Sequence, residues 1–394
     1  MKNRVIKFTG RFKRLNVFGT SLLILLPMMI LFHPVDAVSE DQNATLPEGV
    51  PQSYHLVWSD EFEGNQLDEN KWSYSRGSFD TAAKTQMQYT DSPANVSVSD
   101  GFLHLTARYS PKMQKWNSDT KSWETVERVN TRKENGEPIT YSAPFTSGAI
   151  QTRDEKGNVK VAFKGDFYAE ARIKLPASKS SWSSFWMTGT KGGPSPGSGE
   201  IDVFESKGYD PSFLQANTHT PTLDSSKKSE QHPFLLPNNG DTQTAFHTYG
   251  VLKQSDKVTF YYDGKAVYTL NYNDIQGENP LADEENGMIL RLSQIVGGNF
   301  LKDKKGNHDY TDATRFSNQY EDSSHSEMLV DYVRVWQLTS QDESIEESSN
   351  EGATTQESAV TKIGKSTPFY IGIVTLVFLI GGGLIFIFNK KSKK

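Results

Sequence analysis

Gly199-Glu200-Ile201-Asp202-Val203-Phe204-Glu205 sets three carboxylates among β-branched and aromatic residues. That composition favours an extended strand, and charge is rare in a buried strand unless something holds it there. Successive side chains of a strand leave on opposite faces. Glu200 and Asp202 therefore share a face, while Glu205, at an odd offset, would point away. A single β-bulge, two residues opposing one, returns Glu205 to the first face. The stretch thus predicts a kinked strand with two glutamates flanking an aspartate, and Trp182 and Trp186 lie just upstream. Acids on an edge strand are usually only solvated. The apolar alternation, the preceding glycine and the tryptophans weigh against that plainer reading here.

The surrounding sequence is built the same way. Period-two runs include Phe102–Ala107, Phe167–Ile173, Lys257–Tyr262 and Met328–Trp336, separated by Gly, Asn, Asp and Pro. Tyr262-Asp263-Gly264-Lys265 reads as a tight hairpin turn. No long amphipathic helix and no fixed repeat is evident. Many short strands in one stretch predict an all-β sandwich or jelly roll whose concave face forms a cleft for a long polymer. Two carboxyls about 5–5.5 Å apart on such a face are the arrangement of retaining glycoside hydrolysis.

The ends read differently. Residues 1–37 combine a basic start, an apolar run from Val17 to Phe32 and a small residue, Ala37, as in a secretory signal; an uncleaved anchor is the alternative. Residues 38–52 form a short leader and 53–339 the catalytic stretch. Residues 340–367 are rich in Ser, Thr, Glu and Gln and predict a flexible stalk. Residues 368–388 are long and apolar enough for a transmembrane helix, and the lysines of the 389–394 tail place it on the cytoplasmic side. The tail has the hydrophobic end of a cell-wall sorting signal but no Leu-Pro-x-Thr-Gly before it. A monomer at the cell membrane with an extracellular catalytic domain is the expectation.

Cysteine is absent, which excludes disulfides, cysteine–zinc sites and a cysteine nucleophile. A net charge of −6 among 394 residues gives no basis for nucleic-acid binding. No catalytic cofactor is called for.

Collinear segments from Tyr54 to Leu338 resemble family 16 of the glycoside hydrolases. They are Leu56–Phe62, Leu67–Trp72, Asn95–Val98, Gly101–Leu105, Ser147–Thr152, Glu170–Pro176, Phe185–Met187 and Val330–Trp336, with the Glu200–Glu205 signature among them. The resemblance implies a concanavalin-like β-jelly-roll and endo-acting, retaining cleavage of β-linked polysaccharide. It makes Glu200 the nucleophile, Glu205 the acid/base and Asp202 the group between them that tunes both. The bulged signature resembles laminarinases and agarases rather than the shorter form of lichenases. Gln86–Thr90 and Ile295–Phe300 resemble laminarinase segments, whereas Trp182–Trp186 and Ala216–His219 are similar to the agarase and porphyranase branch. We read a β-1,3-glucan backbone, with a β-galactan, transglycosylation or sugar binding without catalysis as alternatives.

Trp182 and Trp186 are candidates for stacking on pyranose rings, one of them with a core role, and His219 is a candidate near the cleavage point. The resemblance also implies one structural calcium, with Asp331 as its side-chain ligand and carbonyls near Glu61 or Gly101 as partners. The charged, turn-rich segment Met113–Thr140 has no counterpart in this likeness.

Overall fold

The computed structural model describes residues 46–303 and 309–338. Two large antiparallel sheets face each other. One has the order Lys265–Asn271, Lys257–Tyr262, His247–Lys253, Phe167–Lys174, Glu327–Gln337, Phe102–Thr106 and Val96–Ser99, with His55–Asp60 also paired to Glu327–Gln337. The other runs Glu230–Gln231, Asp210–Thr220, Glu200–Lys207, Ser181–Gly189, Met288–Val296, Ala149–Gln151 and Ser73–Tyr74, with Phe234–Leu235 on the Asp210–Thr220 strand. Sequence neighbours are often not sheet neighbours, as in a jelly roll.

Alternation explains the layers. Phe167, Ala169, Ala171 and Ile173 from the first sheet meet Phe185, Met187, Ile201, Val203 and Phe204 from the second in one apolar core. Burying side chains of this size contributes about 1.5–3 kcal/mol each, and this core holds the cleft strands in register. The predicted turn is present: Asp263 (φ 47°) and Gly264 (φ 69°) join Lys257–Tyr262 to Lys265–Asn271, both in the left-handed region that a two-residue hairpin demands. Helical structure among the described residues is confined to short 3₁₀ segments.

The unmatched segment forms two regular hairpins, Lys112–Asn117 with Ser122–Glu127 and Val129–Glu134 with Glu137–Ser142. The first carries Trp116 and Trp123 as an exposed, edge-to-face cross-strand pair, 5.5 Å between ring centres. The second is tied down by the buried Asn130, whose amide donates to the carbonyls of Thr85 and Met87. The first hairpin is largely exposed and the second turns only a few mixed side chains inward, so neither imposes a clear two-residue apolar period.

Residues 1–37, 340–367 and 368–388, read as signal, stalk and membrane span, lie outside the described residues. No helix among the described residues is long and apolar enough to cross a membrane.

Candidate active site

The predicted kink lies at Val203. On one flank Asp202 pairs with Asn217 and Glu205 with Gln215, so three steps along the carboxylate strand match two along its partner. On the other flank Trp186 opposes Asp202 while the adjacent Phe185 opposes Phe204. Val203 and Phe204 both enter the core, at 1% and 0% exposure, and the cleft face keeps Glu200, Asp202 and Glu205. Two consecutive apolar residues are thus what turns Glu205 towards the other acids.

Glu205 is buried, and two neutral donors address it. Trp182 Nε1 donates to its Oε1 at 3.1 Å and Gln215 Nε2 to its Oε2 at 3.3 Å. Glu200 and Asp202 share a third partner, His219, whose Nε2 lies 3.2 Å from Asp202 Oδ2 and 3.6 Å from Glu200 Oε1. The other ring nitrogen of His219 is 3.1 Å from Ser229 Oγ, which fixes the imidazole plane. His219 opposes Glu200 across the strand pair, so this contact follows from register.

These surroundings separate the two glutamates. Burial pushes the Glu205 carboxyl well above the usual range, and the nearby Asp202 charge adds to it. Burial and Asp202 also raise Glu200, to about 7, but the charges of His219 and Arg291 and a hydrogen bond from Ser195 hold it down. For His219, burial alone would lower the pKa; the hydrogen bond and charge of Asp202, with Glu200 and Glu205, outweigh it and raise it to about 9. The charges of His219 and Arg291 thus favour ionisation at Glu200, while burial and its neutral donors favour the acid form of Glu205. One carboxylate and one carboxylic acid on a single face are the requirement for displacement with protonation of a leaving oxygen.

Both tryptophans are on the cleft face and only 8% exposed. Trp182 also carries the core role expected of one of them. Its ring stacks on Phe300 at 4.5 Å within a second apolar cluster that includes Met87, Phe145 and Ile295. Trp186 donates to Ser293 Oγ at 3.0 Å and lies under the Arg291 guanidinium, 4.1 Å from ring to charge. Arg291 and Gln215 are site residues that the sequence reading missed. Arg291 carried a signal of the same kind as the acids, a charge inside the apolar run Ile289-Leu290-Arg291-Leu292.

Asp331 does not fit the calcium reading well. It occupies a bulge of its strand on the opposite sheet, where Arg172 Nη1 pairs with its Oδ2. Glu61, near the expected carbonyl partners, is gripped at both oxygens by Arg334, at 3.0 and 2.8 Å. A divalent ion at Asp331 would share the carboxylate with that guanidinium. Among the described residues, Glu200, Asp202 and His219 are the group of three metal-type ligands close enough to share an ion, within 4.8 Å, and there His219 pairs with both acids.

Residues 84–314, the stretch that contains these carboxylates, match a family model described as "Glycosyl hydrolases family 16". The chain belongs to glycoside hydrolase family 16. It is 30% identical over 296 residues to glucan endo-1,3-beta-glucosidase A1 of Niallia circulans, covering 72% of this chain and 38% of that protein. It is 27% identical over 292 residues to the glucan endo-1,3-beta-glucosidase of Cryptopygus antarcticus, covering 71% of this chain and 91% of that one. The structure of the endo-beta-1,3-glucanase from Pyrococcus furiosus superposes with a TM-score of 0.51 at 24% identity, over 72% of this chain and 94% of that one, a likeness of fold. As a family 16 member the protein is a glycoside hydrolase with a jelly-roll sandwich.

The cation at His219 gives the family 16 site a pH signature. His219→Gln removes a positive charge that holds Glu200 down, so Glu200 titrates higher. The acidic limb of kcat/KM should then move up by about one pH unit. A pH–rate profile of the variant checks this, and a limb left in place contradicts it.

Proposed function

We propose that the protein is a retaining endo-β-glucanase that hydrolyses internal linkages of a β-1,3- or mixed β-1,3/1,4-glucan. The observation carrying this reading is the bulge that gathers Glu200, Asp202 and Glu205 on one face, with the two glutamates held in opposite protonation states. Glu200 attacks the anomeric carbon as the glycosidic bond breaks, and the Glu205 proton goes to the leaving oxygen. Glu205, now ionised, takes a proton from water, whose oxygen displaces Glu200 and returns the sugar with its β configuration. Asp202 and His219 orient Glu200 and stabilise its charged form between turnovers. The names of the two curated relatives support the β-1,3-glucan backbone.

The same reading places the enzyme outside the cell, exported by residues 1–37 and held at the membrane by residues 368–388, on the strength of their composition. Its natural substrate is then an external or wall polysaccharide.

The test is digestion of laminarin, lichenan, agarose and carrageenan, with product lengths and the configuration of the first-formed reducing end recorded. Oligosaccharides from laminarin, released β, are expected. Cleavage of agarose or carrageenan alone would move the backbone to a β-galactan, products longer than the substrate would reveal transfer to sugar, and binding without products would mark a lectin-like protein.

A further inference from the structure

The row of side chains that carries Asp202 and Trp186 does not stop at the catalytic centre. In register, Asp202 opposes Trp186, Trp186 opposes Arg291, and Arg291 opposes Gln151. Strands stand 4.7–4.9 Å apart, so Arg291 lies about 10 Å from Asp202 along the cleft floor. Above this part of the row is a groove of ≈350 Å³ whose lining includes Arg76, Phe79, Gln151, Trp186 and Arg291, with the Glu155 carboxylate paired to Arg76 at its wall. It begins where the trio ends.

Two of its walls carry unused polar groups. The Arg291 guanidinium is half-buried over the Trp186 ring and forms no hydrogen bond or ion pair with another described residue. Arg76, by contrast, is committed to Asp91 at 2.9 Å and Glu155 at 3.1 Å. Gln151 is 8% exposed and its Oε1 has no partner. A guanidinium has five donors in a planar fork, and leaving it half-desolvated without an acceptor is unfavourable. Burial lowers the Arg291 pKa to about 10, so it remains a cation at neutral pH.

A supporting charge for Glu200 would account for a cation in this region, but not for its place at the wall of a groove two strands away from Asp202. A neutral sugar would not account for it either, since hydroxyls are served by Asn or Gln without burying charge. An anion that offers two oxygens matches the fork, and a pyranose beside it would lie within reach of Gln151.

We propose that this groove is a subsite for a sugar residue bearing an anionic substituent, a sulfate ester or a carboxylate, received by Arg291. The inference rests on glycoside cleavage at Glu200 and Glu205, but not on the backbone being a glucan.

The experiment uses pairs of polymers that differ in charge on one backbone: laminarin against sulfated and against carboxymethylated laminarin, and desulfated carrageenan against carrageenan. On whichever backbone the protein cuts, kcat/KM should favour the charged member, and added salt should erode that preference. Preference for the sulfated or the carboxymethylated laminarin separates the two substituents. Arg291→Gln should lower the charged-to-neutral ratio of kcat/KM by about 10- to 100-fold, mainly through KM of the charged member, while any shift in Glu200 titration acts on both members and cancels in the ratio. Arg291→Lys, with charge but no fork, should recover only part of the loss. Wild-type preference for the neutral member, or an equal loss on both members in Arg291→Gln, overturns the proposal even if laminarin is cleaved. Cleavage confined to the carrageenan pair overturns the glucan reading and leaves this one to stand on the charge preference. A protein that cuts none of these polymers overturns both.

Discussion

Glu200→Gln lowers kcat by at least about 10⁴-fold, and Glu205→Gln by about 10²–10⁴-fold, with the fold intact in both. The two losses differ in kind. Without Glu200 there is no group to form the glycosyl-enzyme, whatever the leaving group. Without Glu205 what is missing is a proton, so a substrate whose leaving group departs as a stable anion regains bond cleavage. An aryl β-glycoside with an acidic phenol should therefore restore the first step in Glu205→Gln and not in Glu200→Gln. If the rescue falls on the other variant, the roles are exchanged; full activity of either on polysaccharide removes that residue from the chemistry.

Stability supplies the control, and its sign follows from the same environment. The folded-state pKa of Glu200 is raised to about 7. The folded protein therefore binds that proton more tightly than the unfolded chain. The corresponding stabilisation is full below the unfolded value, near 4.3, and is lost as the pH rises through about 7. Glutamine has no such proton to lose. Glu200→Gln should then match or exceed the wild-type Tm at pH 8, with the advantage shrinking towards pH 4. A variant that is inactive and also less stable at pH 8 would have lost its activity through the fold instead.

How much of this was readable in advance depends on what each residue's meaning requires. Strand existence and the Asp263-Gly264 turn follow from local pattern, because alternation and positive φ are properties of a few consecutive residues. The bulge was readable for the same reason: three acids and two adjacent core residues within Glu200–Glu205 fit one face only if a residue is skipped. His219 and Trp182 were visible as candidates, but their contacts with Asp202 and Glu205 depend on pairing across 17 and 23 residues of sequence. Gln215 and Gln151 carry no signal at all. An uncharged amide in a strand is unremarkable until register places it beside an unpartnered group. Asp331 was named only through the family resemblance, and its pairing with Arg172, 159 residues away in sequence, carries no local signal either.

Deleting Val203 should leave the protein folded and active within about 100-fold of wild type, whereas deleting Ile201 should abolish both. The argument is register alone. With Val203 gone, Phe204 opposes Phe185 and Ala216, and Glu205 still opposes Ser184 and Gln215, so the ladder closes without a skipped residue. Ile201 and Phe204 stay on the core side while Glu200, Asp202 and Glu205 stay in the cleft, and the strand takes the shorter, unbulged form of the signature. What is lost is a fully buried valine and its packing, about 2–4 kcal/mol, or roughly 5–10 °C in Tm. Ile201 has no bulge to absorb its removal. Its deletion slips Glu200 by one position and turns that carboxylate into the apolar core that Ile201 occupied. Thermal melts and laminarin hydrolysis on both deletions decide the matter. If the Val203 deletion folds but is as inactive as Glu205→Gln, the bulge does more than choose a face: it sets the separation of Glu200 and Glu205 that the chemistry requires.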